Sequence, residues 1–406
     1  MGKSGVKNNW EIKNLGEFIK LKYGFSLPEK DRVHGKIPVY GSSGIVGHHN
    51  TSSVKGPGII VGRKGNVGAI SFSNDDFWPI DTAYYIEENK GFYDIKFLFF
   101  LLRTLSLNTF DTAAAVPGLS RDSFYNIETK IPSLPIQQKI ASVLSAYDDL
   151  IEVNERKIKI LEEMARLIYK EWFVKFRFPL ARRSHSEGGG YKKAKMVESE
   201  LGMIPEGWEI CQLASLGKVI TGKTPSTKDI ENFGGYMPFI TIPDMHNKVF
   251  IIETERYLSE KGLNTQSSKT LPRNAICVSC IATMGLVVIT TENSQTNQQI
   301  NSIILEDLSI LEYLFFVLKF LRSKITLYGS SGTAANILNK DKFSRLRIVK
   351  PKNEIIKQFH YIVEPIFKQI ENIMKQNFIL RQTRDMLLPK LISGEIDVSD
   401  LEIGLV

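Results

Sequence analysis

The sequence predicts an α+β protein made by tandem repetition: two mixed α/β domains, each followed by a long helix, with the two helices forming an antiparallel coiled coil. Two observations support this prediction. Motifs in the first half of the 406-residue chain return in the second half, and each half ends in a long heptad pattern of apolar residues. A hydrophobic content of 43% with 24% charged residues is enough for sizeable cores and argues against disorder.

The repeat is visible at matching residues of the two halves. Trp10 and its neighbours return at Trp208, and Gly68 returns as Gly285. The offset between matching positions grows along the chain, so the second half must contain an insertion. We expect this insertion within residues 238–272.

These matches divide the chain into six segments. The predicted segments are a first domain at 8–134, a first helical region at 135–178, a linker at 179–200, a second domain at 201–350, a second helical region at 351–393 and a tail at 394–406. The linker is expected because residues 181–190 read ARRSHSEGGG, a polar run that cannot bury a core. Both domains are expected to be rich in β-strand, since the apolar runs at 59–61 and 275–278 directly follow turn-forming sequences.

The two helical regions contain long apolar seams. After Pro135, which suits the first turn of a helix, apolar residues recur in alternating steps of four and three from Ile140 to Trp172. A second seam runs from Phe359 to Leu391. A stripe this narrow and this long favours a coiled coil. The alternative is two amphipathic helices that each pack on their own domain.

The internal repeat predicts the direction and the register of the helix pair. Two equivalent helices related by a pseudo-twofold axis run in opposite directions, so residues late in one helix meet residues early in the other. Placing Asn154 opposite Asn377 lets the two amides bond to each other and puts Trp172 opposite Phe359. Pro365 is expected to kink or restart the second helix near its beginning.

Charge and cysteine content narrow the class of protein. A net charge of +8 favours a polyanionic partner, because Lys and Arg replace the counterions around phosphates. Three cysteines do not resemble a secreted disulfide framework, so we expect a reducing cytoplasm. The N-terminus lacks the apolar core of a signal peptide, and the longest apolar runs, at 97–102 and 313–321, are too short to span a membrane.

Residues 217–224 read GKVITGKT and fit the Walker A pattern, which raises the alternative of a nucleotide-dependent DNA-processing enzyme. A phosphate-binding loop needs a helix that starts at its Lys-Thr pair, so that the helix N-terminus faces the phosphates. Pro225 follows directly and disfavours helical geometry at Thr224. The repeat partner of Gly222 is Gly24, whose surroundings have no phosphate-loop character. We therefore expect no nucleotide site here.

Other catalytic and metal motifs are missing or incomplete in the sequence. Cys277 and Cys280 form a C-x-x-C, but no second cysteine pair exists to complete a zinc site, so a strand with one or two buried thiols is expected here. The chain has no paired-carboxylate nuclease cluster. It also has no Pro-Pro dipeptide, which the motif around a flipped adenine in methyltransferases would require. These features favour a binding protein over an enzyme.

Several longer motifs resemble one protein family. They are IPVYGSSG at 37–44, GPGIIVGRKG at 56–65, FWPIDTAYY at 77–85, GMIPEGW at 202–208, GKTPST at 222–227 and RDMLLPKLISGEI at 384–396. With two globular halves that each precede a heptad helix, this pattern resembles the specificity (S) subunit of Type I restriction–modification systems over nearly the whole chain.

The resemblance implies a DNA-binding subunit in which two target recognition domains each read one half of a split, asymmetric target in double-stranded DNA. It also implies that the helices join the two domains and dock two methyltransferase (modification) subunits, with restriction-translocation subunits added for cleavage. The chain itself would have no catalytic site, no cofactor and no metal, because S-adenosylmethionine and ATP belong to those partners. We expect such a protein in the cytoplasm and away from membranes.

Candidate DNA contacts are polar side chains in loops near the family motifs. Arg and Lys suit guanine and Asn and Gln suit adenine in the major groove, while Lys and Arg also fix the register on phosphate. Because Cys280 stands where the first half has Arg63, the two domains should not read the same bases. Plain solvent exposure is the alternative at every candidate. The candidates are Lys22, Tyr40, Ser42, Ser43, Arg63, Lys64 and Asn66 in the first domain, and Lys223, Ser226, Thr227, Thr283, Asn297, Gln298 and Asn336 in the second.

Overall fold

The computed structural model describes residues 10–111, 118–178, 195–281, 283–322 and 338–402. The chain divides into two compact units: Met1–Glu152 with Ile379–Val406, and Val153–Phe378. Both boundaries lie inside long helices, so each unit contains one repeat together with parts of both helices. Residues 181–190 of the predicted linker lie outside the described residues, and the six segment boundaries stay predictions.

The described residues of the first unit form three sheets and several helices. Its elements are β1 (Glu11–Asn14), β2 (Lys22–Tyr23), β3 (Ile37–Gly41), β4 (Gly44–His49), β5 (Gly58–Gly62), β6 (Ile70–Ser73), β7 (Trp78–Pro79), β8 (Ala83–Glu87), α1 (Ile95–Thr104), α2 (Arg121–Tyr125), β9 (Glu128–Ile131) and the first part of α3 (Leu134–Tyr169). The sheet orders are β2-β8-β5-β6, β4-β3-β7 and β1-β9. Asp94 caps α1 by accepting from Phe97 N at 2.9 Å. The apolar face of α1 then shares a core with Ile59 and Val61 of β5.

The described residues of the second unit likewise form several sheets and helices. They are β10 (Met196–Val197), β11 (Ile204–Pro205), β12 (Glu209–Gln212), β13 (Gly217–Thr221), β14 (Phe233–Ile240), β15 (Phe250–Ile251), β16 (Arg256–Leu258), α4 (Glu260–Asn264), β17 (Ile276–Ser279), β18 (Val287–Thr290), β19 (Gln295–Thr296), β20 (Ile300–Leu305), α5 (Leu311–Phe320), α6 (Lys340–Ser344), β21 (Arg347–Lys350) and the first part of α7 (Asn353–Ile392). The sheet orders are β13-β20-β17-β18-β15, β16-β14-β19, β12-β21 and β10-β11. Apolar residues of α5 pack into the same core as those of β17 and β18.

The repeat seen in the sequence extends to the order of the strands. In the second unit β13, β20, β17 and β18 follow the order of β2, β8, β5 and β6, and β16, β14 and β19 follow that of β4, β3 and β7. The larger sheet of the second unit has one further strand, β15, which lies parallel to β18. This strand falls within residues 238–272, in agreement with the predicted insertion.

The two long helices contain 36 residues in α3 and 40 in α7, which corresponds to roughly 54 and 60 Å at ~1.5 Å per residue. α3 ends in a π-helical turn at Lys170–Val174. α7 continues through Pro365 as one helix, so the expected restart does not occur. Pro365 and Tyr361 lie on the exposed face, where water can bond to the Tyr361 carbonyl that the proline leaves without a helical donor. Phe359 and Phe367 hold the opposite face in the core.

In the second unit, the two long helices touch at the residues that the heptad register matched. Asn154 Nδ2 donates to Asn377 Oδ1 at 2.8 Å. Both side chains are buried, at 4% and 2% exposure. The rings of Trp172 and Phe359 lie 5.8 Å apart, centroid to centroid. From Asn154 to Trp172 the chain runs forward, while their partners run backward from Asn377 to Phe359.

In the first unit, the other ends of the same helices share a core. Ile140 of α3 and Leu391 of α7 are both buried in one apolar cluster. Beside this cluster, Arg384 forms an ion pair with Asp148. The polar pair lies at the edge of the apolar contact, since Asp148 is only partly buried.

Candidate nucleic-acid interface

The loop between β5 and β6 forms the centre of the candidate site in the first unit. Arg63 N and Lys64 N both donate to Thr82 O, at 3.0 and 3.1 Å, and Arg63 O accepts from Leu119 N at 3.0 Å. The backbone of this loop is therefore held by two other segments of the domain. The side chain of Lys64 lies exposed above it.

The turn between β3 and β4 lies beside this loop. Ser42 O lies 2.9 Å from the position that a Cβ on Gly62 would occupy. Ser42 is half-buried, whereas Ser43 and Asn66 are exposed. The structure thus brings five of the seven residues predicted for this domain together on two adjacent segments.

Two residues that sequence reasoning missed join Arg63. Tyr23 of β2 lies against its guanidinium, with Arg63 Cζ 4.9 Å from the ring centroid. Arg121 at the start of α2 lies against the same ring, with its Cζ at 4.6 Å. Both distances are within the range of cation–π contacts. Arg63 Nη1 also donates to Asp81 O at 3.1 Å.

Lys22 and Tyr40, the other two candidates of this domain, have partners within it. Lys22 forms an ion pair with Glu87 and lies 5.9 Å from the ring centroid of Tyr85. The hydrogen bond to Glu87 raises the pKa of Lys22. Tyr40 is buried, and its hydroxyl donates to Phe72 O at 3.3 Å. Of the seven candidates, Tyr40 is therefore the least accessible to a ligand.

In the second unit, the loop after β13 is joined to the loop after β19. Lys223 N donates to Thr296 O at 3.0 Å, and Thr224 Oγ1 donates to Gln298 Oε1 at 2.6 Å. The two loops thus form one surface in this unit. The candidates with exposed side chains on it are Lys223, Ser226, Thr227 and Gln298.

Two other candidates of the second unit are bonded within the domain. Asn297 Nδ2 donates to Gln299 Oε1 at 3.1 Å, and its Oδ1 accepts from Gln299 N at 3.0 Å. Thr283 is half-buried, and its carbonyl accepts from Ser279 Oγ at 2.5 Å. Asn336 lies outside the described residues.

Matching backbone hydrogen bonds confirm that Cys280 occupies the position of Arg63. Leu119 N donates to Arg63 O at 3.0 Å, and Leu338 N donates to Cys280 O at the same distance. The two residues therefore stand at one place in two copies of the same backbone.

The glycines that close the two loops also match. Gly68 has a φ of 73° and Gly285 a φ of 79°, a region that glycine adopts without strain. Gly68 N donates to Gly62 O and Gly285 N donates to Ser279 O, both at 2.8 Å. The pairing of these glycines in the sequence is thus confirmed as a shared loop geometry.

The matched loops differ in chemistry. In the first unit Tyr84 OH donates to Leu119 O at 3.0 Å. In the second, Asn301 Nδ2 donates to Leu338 O at 2.9 Å and to Cys280 Sγ at 3.3 Å. Burial raises the pKa of Cys280 to about 11, so the thiol stays neutral near pH 7. A buried, neutral network therefore stands where the first unit has a guanidinium.

Close packing explains the matched glycines of the Walker-like string. A Cβ on Gly24 would lie 2.1 Å from Ile80 O, and one on Gly222 would lie 2.2 Å from Asn297 O. The string itself forms strand β13 and the irregular loop that follows it, and within residues 217–229 no helix begins at Lys223. The geometry is that of a strand edge and differs from a phosphate-binding loop.

We expect the purified chain to show no saturable ATP binding, and Lys223→Ala to leave this result unchanged. The reason is that Lys223 does not precede a helix N-terminus that could hold phosphates. Calorimetric titration with Mg-ATP measures this, with Lys218→Ala, an exposed lysine of β13, as the matched control. Saturable binding that is lost in Lys223→Ala and kept in Lys218→Ala would contradict the prediction.

The part of the chain that the structure describes also bears on metal binding and membrane insertion. There, no group of three or more His, Cys, Asp or Glu side chains could hold a metal ion. Cys277 and Cys280 are both buried, in agreement with the prediction of one or two buried thiols. In the same residues, no helix combines the length and the apolar character needed to cross a membrane.

Comparison with known proteins places these two units in one family. The family model of the Type I restriction modification DNA specificity domain matches residues 7–163 and 205–380. The HindI Type I restriction enzyme specificity subunit of Haemophilus influenzae is 35% identical over 391 residues, covering 82% of this chain and 85% of that one. The MjaIX specificity subunit of Methanocaldococcus jannaschii is 28% identical over 337 residues, covering 77% and 73%.

A solved structure shares the fold. The crystal structure of the S subunit of a Type I restriction–modification system from M. genitalium matches with a TM-score of 0.62 at 15% identity, over 96% of this chain and 98% of that one. Since the family model matches both halves of the chain, this protein belongs to the family of the Type I restriction modification DNA specificity domain.

Proposed function

We propose that this chain is a sequence-specific DNA-binding subunit that reads a bipartite, asymmetric target. The observation that supports this most directly is the duplicated loop site. The family model matches each half separately, and the two halves present different side chains on matched backbones. Two copies of one scaffold with different polar surfaces are suited to two different half-sites.

The proposed partners follow from the family. The curated relatives are named as specificity subunits of Type I restriction enzymes, and we infer that this chain directs two methyltransferase subunits and restriction-translocation subunits to the target. The chain would contribute recognition and assembly, while catalysis and cofactors belong to the partners. The duplicated chain offers two equivalent docking positions to two copies of one partner.

The long helices are proposed to form an antiparallel coiled coil. The hydrogen bond between Asn154 and Asn377 and the ring contact between Trp172 and Phe359 support this pairing in the second unit. In the first unit, the shared burial of α3 and α7 residues supports it. The comparisons give no support to the alternative of a nucleotide-dependent DNA-processing enzyme.

Domain exchange tests the proposed function. We expect replacement of residues 8–134 by the equivalent domain of another specificity subunit to change one half of the methylated target and to leave the other half unchanged, because each domain has its own core and loop site. The measurement is sequencing of methylated adenines in cells that produce the chain with its methyltransferase partner. Exchange of residues 201–350 is the matched control and should change the other half. A change of both halves in either exchange would contradict independent reading, and no methylated motif with the native chain would contradict the function.

A further inference from the structure

We propose that Arg63, Tyr23 and Arg121 form the DNA-contacting element of the first domain, in which Arg63 reads a guanine and Arg121 contacts a backbone phosphate. This inference rests on the proposed function. The element, called here the arginine–tyrosine stack, consists of these three side chains on the β5–β6 loop, β2 and α2. Tyr23 is 45% exposed, so the stack lies at the surface.

The stack places two positive charges against one ring, that of Tyr23. The Cζ atoms of Arg63 and Arg121 lie 4.9 and 4.6 Å from the centroid of Tyr23, so their separation cannot exceed the sum of these distances. Within the described residues, neither Arg63 nor Arg121 forms an ion pair with a carboxylate. Like charges this close repel each other. A polyanion such as DNA would offset that repulsion.

The two arginines differ in how firmly they are held. Arg63 lies against Tyr23 and also against Tyr84, with its Cζ 5.8 Å from that ring centroid. Its Nη1 donates to Asp81 O. A guanidinium fixed in one plane is suited to the two acceptors O6 and N7 of guanine. Arg121 has the single ring contact, which suits a phosphate because a phosphate accepts donors from many directions.

Among its described residues, the second unit has no counterpart of this stack. The strand pairing that places Tyr23 opposite Tyr84 places Thr221 opposite Asn301. Thr221 Oγ1 donates to Asn301 Oδ1, so both side chains are engaged inside the domain. Guanine recognition by this element therefore belongs to the first half-site alone.

The first test addresses the base. It uses the assembled methyltransferase with the full chain, and duplexes that contain its mapped target. We expect Arg63→Ala to lower discrimination of guanine from adenine at one position of the first half-site by roughly 5- to 150-fold, the range of one bidentate contact. The second half-site should be read as before. Arg63→Lys keeps the charge but lacks the planar fork, so it should lose the same discrimination.

A base analogue separates a base contact from a structural effect. Replacing that guanine with 7-deazaguanine removes the N7 acceptor. This change should weaken binding by the wild-type assembly and have no effect on the Arg63→Ala assembly. An equal loss in both would overturn the assignment of Arg63, because the lost contact would then belong to another group.

The second test addresses the phosphate. Arg121→Ala should weaken binding to all DNA sequences alike and reduce the slope of log K against log salt by about one. Lys13→Ala is the matched control, since it removes a positive charge of the same unit that is already paired with Glu11, and it should leave the slope unchanged. Tyr23→Phe keeps the ring and should match wild type, whereas Tyr23→Leu should lower guanine discrimination.

The outcomes separate this inference from the proposed function. If the wild-type assembly does not distinguish its target from other DNA, the proposed function fails. If it does, and the Arg63 variants keep full discrimination throughout the first half-site, the guanine assignment is overturned. An unchanged salt slope in Arg121→Ala overturns the phosphate contact. If Arg63→Ala does not fold, the guanine assignment is tested with Arg63→Lys and with the wild-type assembly on the 7-deazaguanine duplex.

Discussion

Phe359→Ala is expected to lower the free energy of unfolding of the second unit by about 3–5 kcal/mol. Phe359 is fully buried. Its ring lies 5.8 Å from that of Trp172 and 4.9 Å from that of Phe173, centroid to centroid. Truncation would leave a cavity between a long helix and a π-helical turn. Rigid aromatic walls of this kind collapse poorly, so the loss should lie in the upper part of the range for large-to-small changes.

Urea unfolding of the full chain carrying Trp10→Phe and Trp78→Phe, followed by tryptophan fluorescence, measures this loss, because the remaining Trp172 and Trp208 lie in the second unit. The matched control is Tyr361→Ala, an aromatic residue of the same helix that is 83% exposed. Its effect should stay within about 0.5 kcal/mol. Equal destabilisation by the two changes would show that packing around Phe359 does not stabilise this unit.

Asn377→Leu is expected to lower the free energy of unfolding of the second unit by about 1–3 kcal/mol, and a further Asn154→Leu change is expected to recover most of that loss. The single change removes the acceptor of a buried amide, because Asn154 Nδ2 donates to Asn377 Oδ1 at 2.8 Å. The double change replaces both amides with side chains that need no hydrogen bond. A leucine layer then continues the apolar seam on both helices.

A double-mutant cycle over these two positions measures the coupling between them. The two single variants and the double variant are unfolded under the same conditions, and each serves as the control for the others. A clear gain of the double variant over either single variant is the expected result. Strict additivity of the two losses would mean that the amides act separately. It would also remove the main support for the proposed helix register.

The features that sequence reasoning predicted well are local or periodic. The match of Gly24 with Gly222 was visible because both positions exclude a side chain for the same steric reason. The Asn154–Asn377 contact was predictable because a heptad seam fixes which residues share a layer. Neither feature required knowledge of how distant strands pair.

The candidate site was harder to predict, since its members meet only through tertiary structure. Tyr23 and Arg121 are far apart in sequence and meet because β2 pairs with β8 near the start of α2. Tyr40 lies within a family motif. The β3–β4 register shifts between Val39 and Tyr40, however, and the side chain of Tyr40 is buried. Asn297 has a polar side chain in a loop, yet that amide bonds to Gln299. Hydrogen bonds of this kind leave no periodic trace in a sequence.

The first unit is discontinuous in sequence, and this has a consequence for biosynthesis. Its core combines Ile140 and Leu144 with Leu388 and Leu391. This core is therefore incomplete until a segment near the end of the chain has been translated. At ~5–20 residues per second, the ribosome needs on the order of 10–50 s to make the intervening chain. During this interval the nascent first unit exposes apolar surface that its late segment will cover. Truncated translation products should therefore be substrates for chaperones and proteases, whereas a product translated past Leu391 can close both cores.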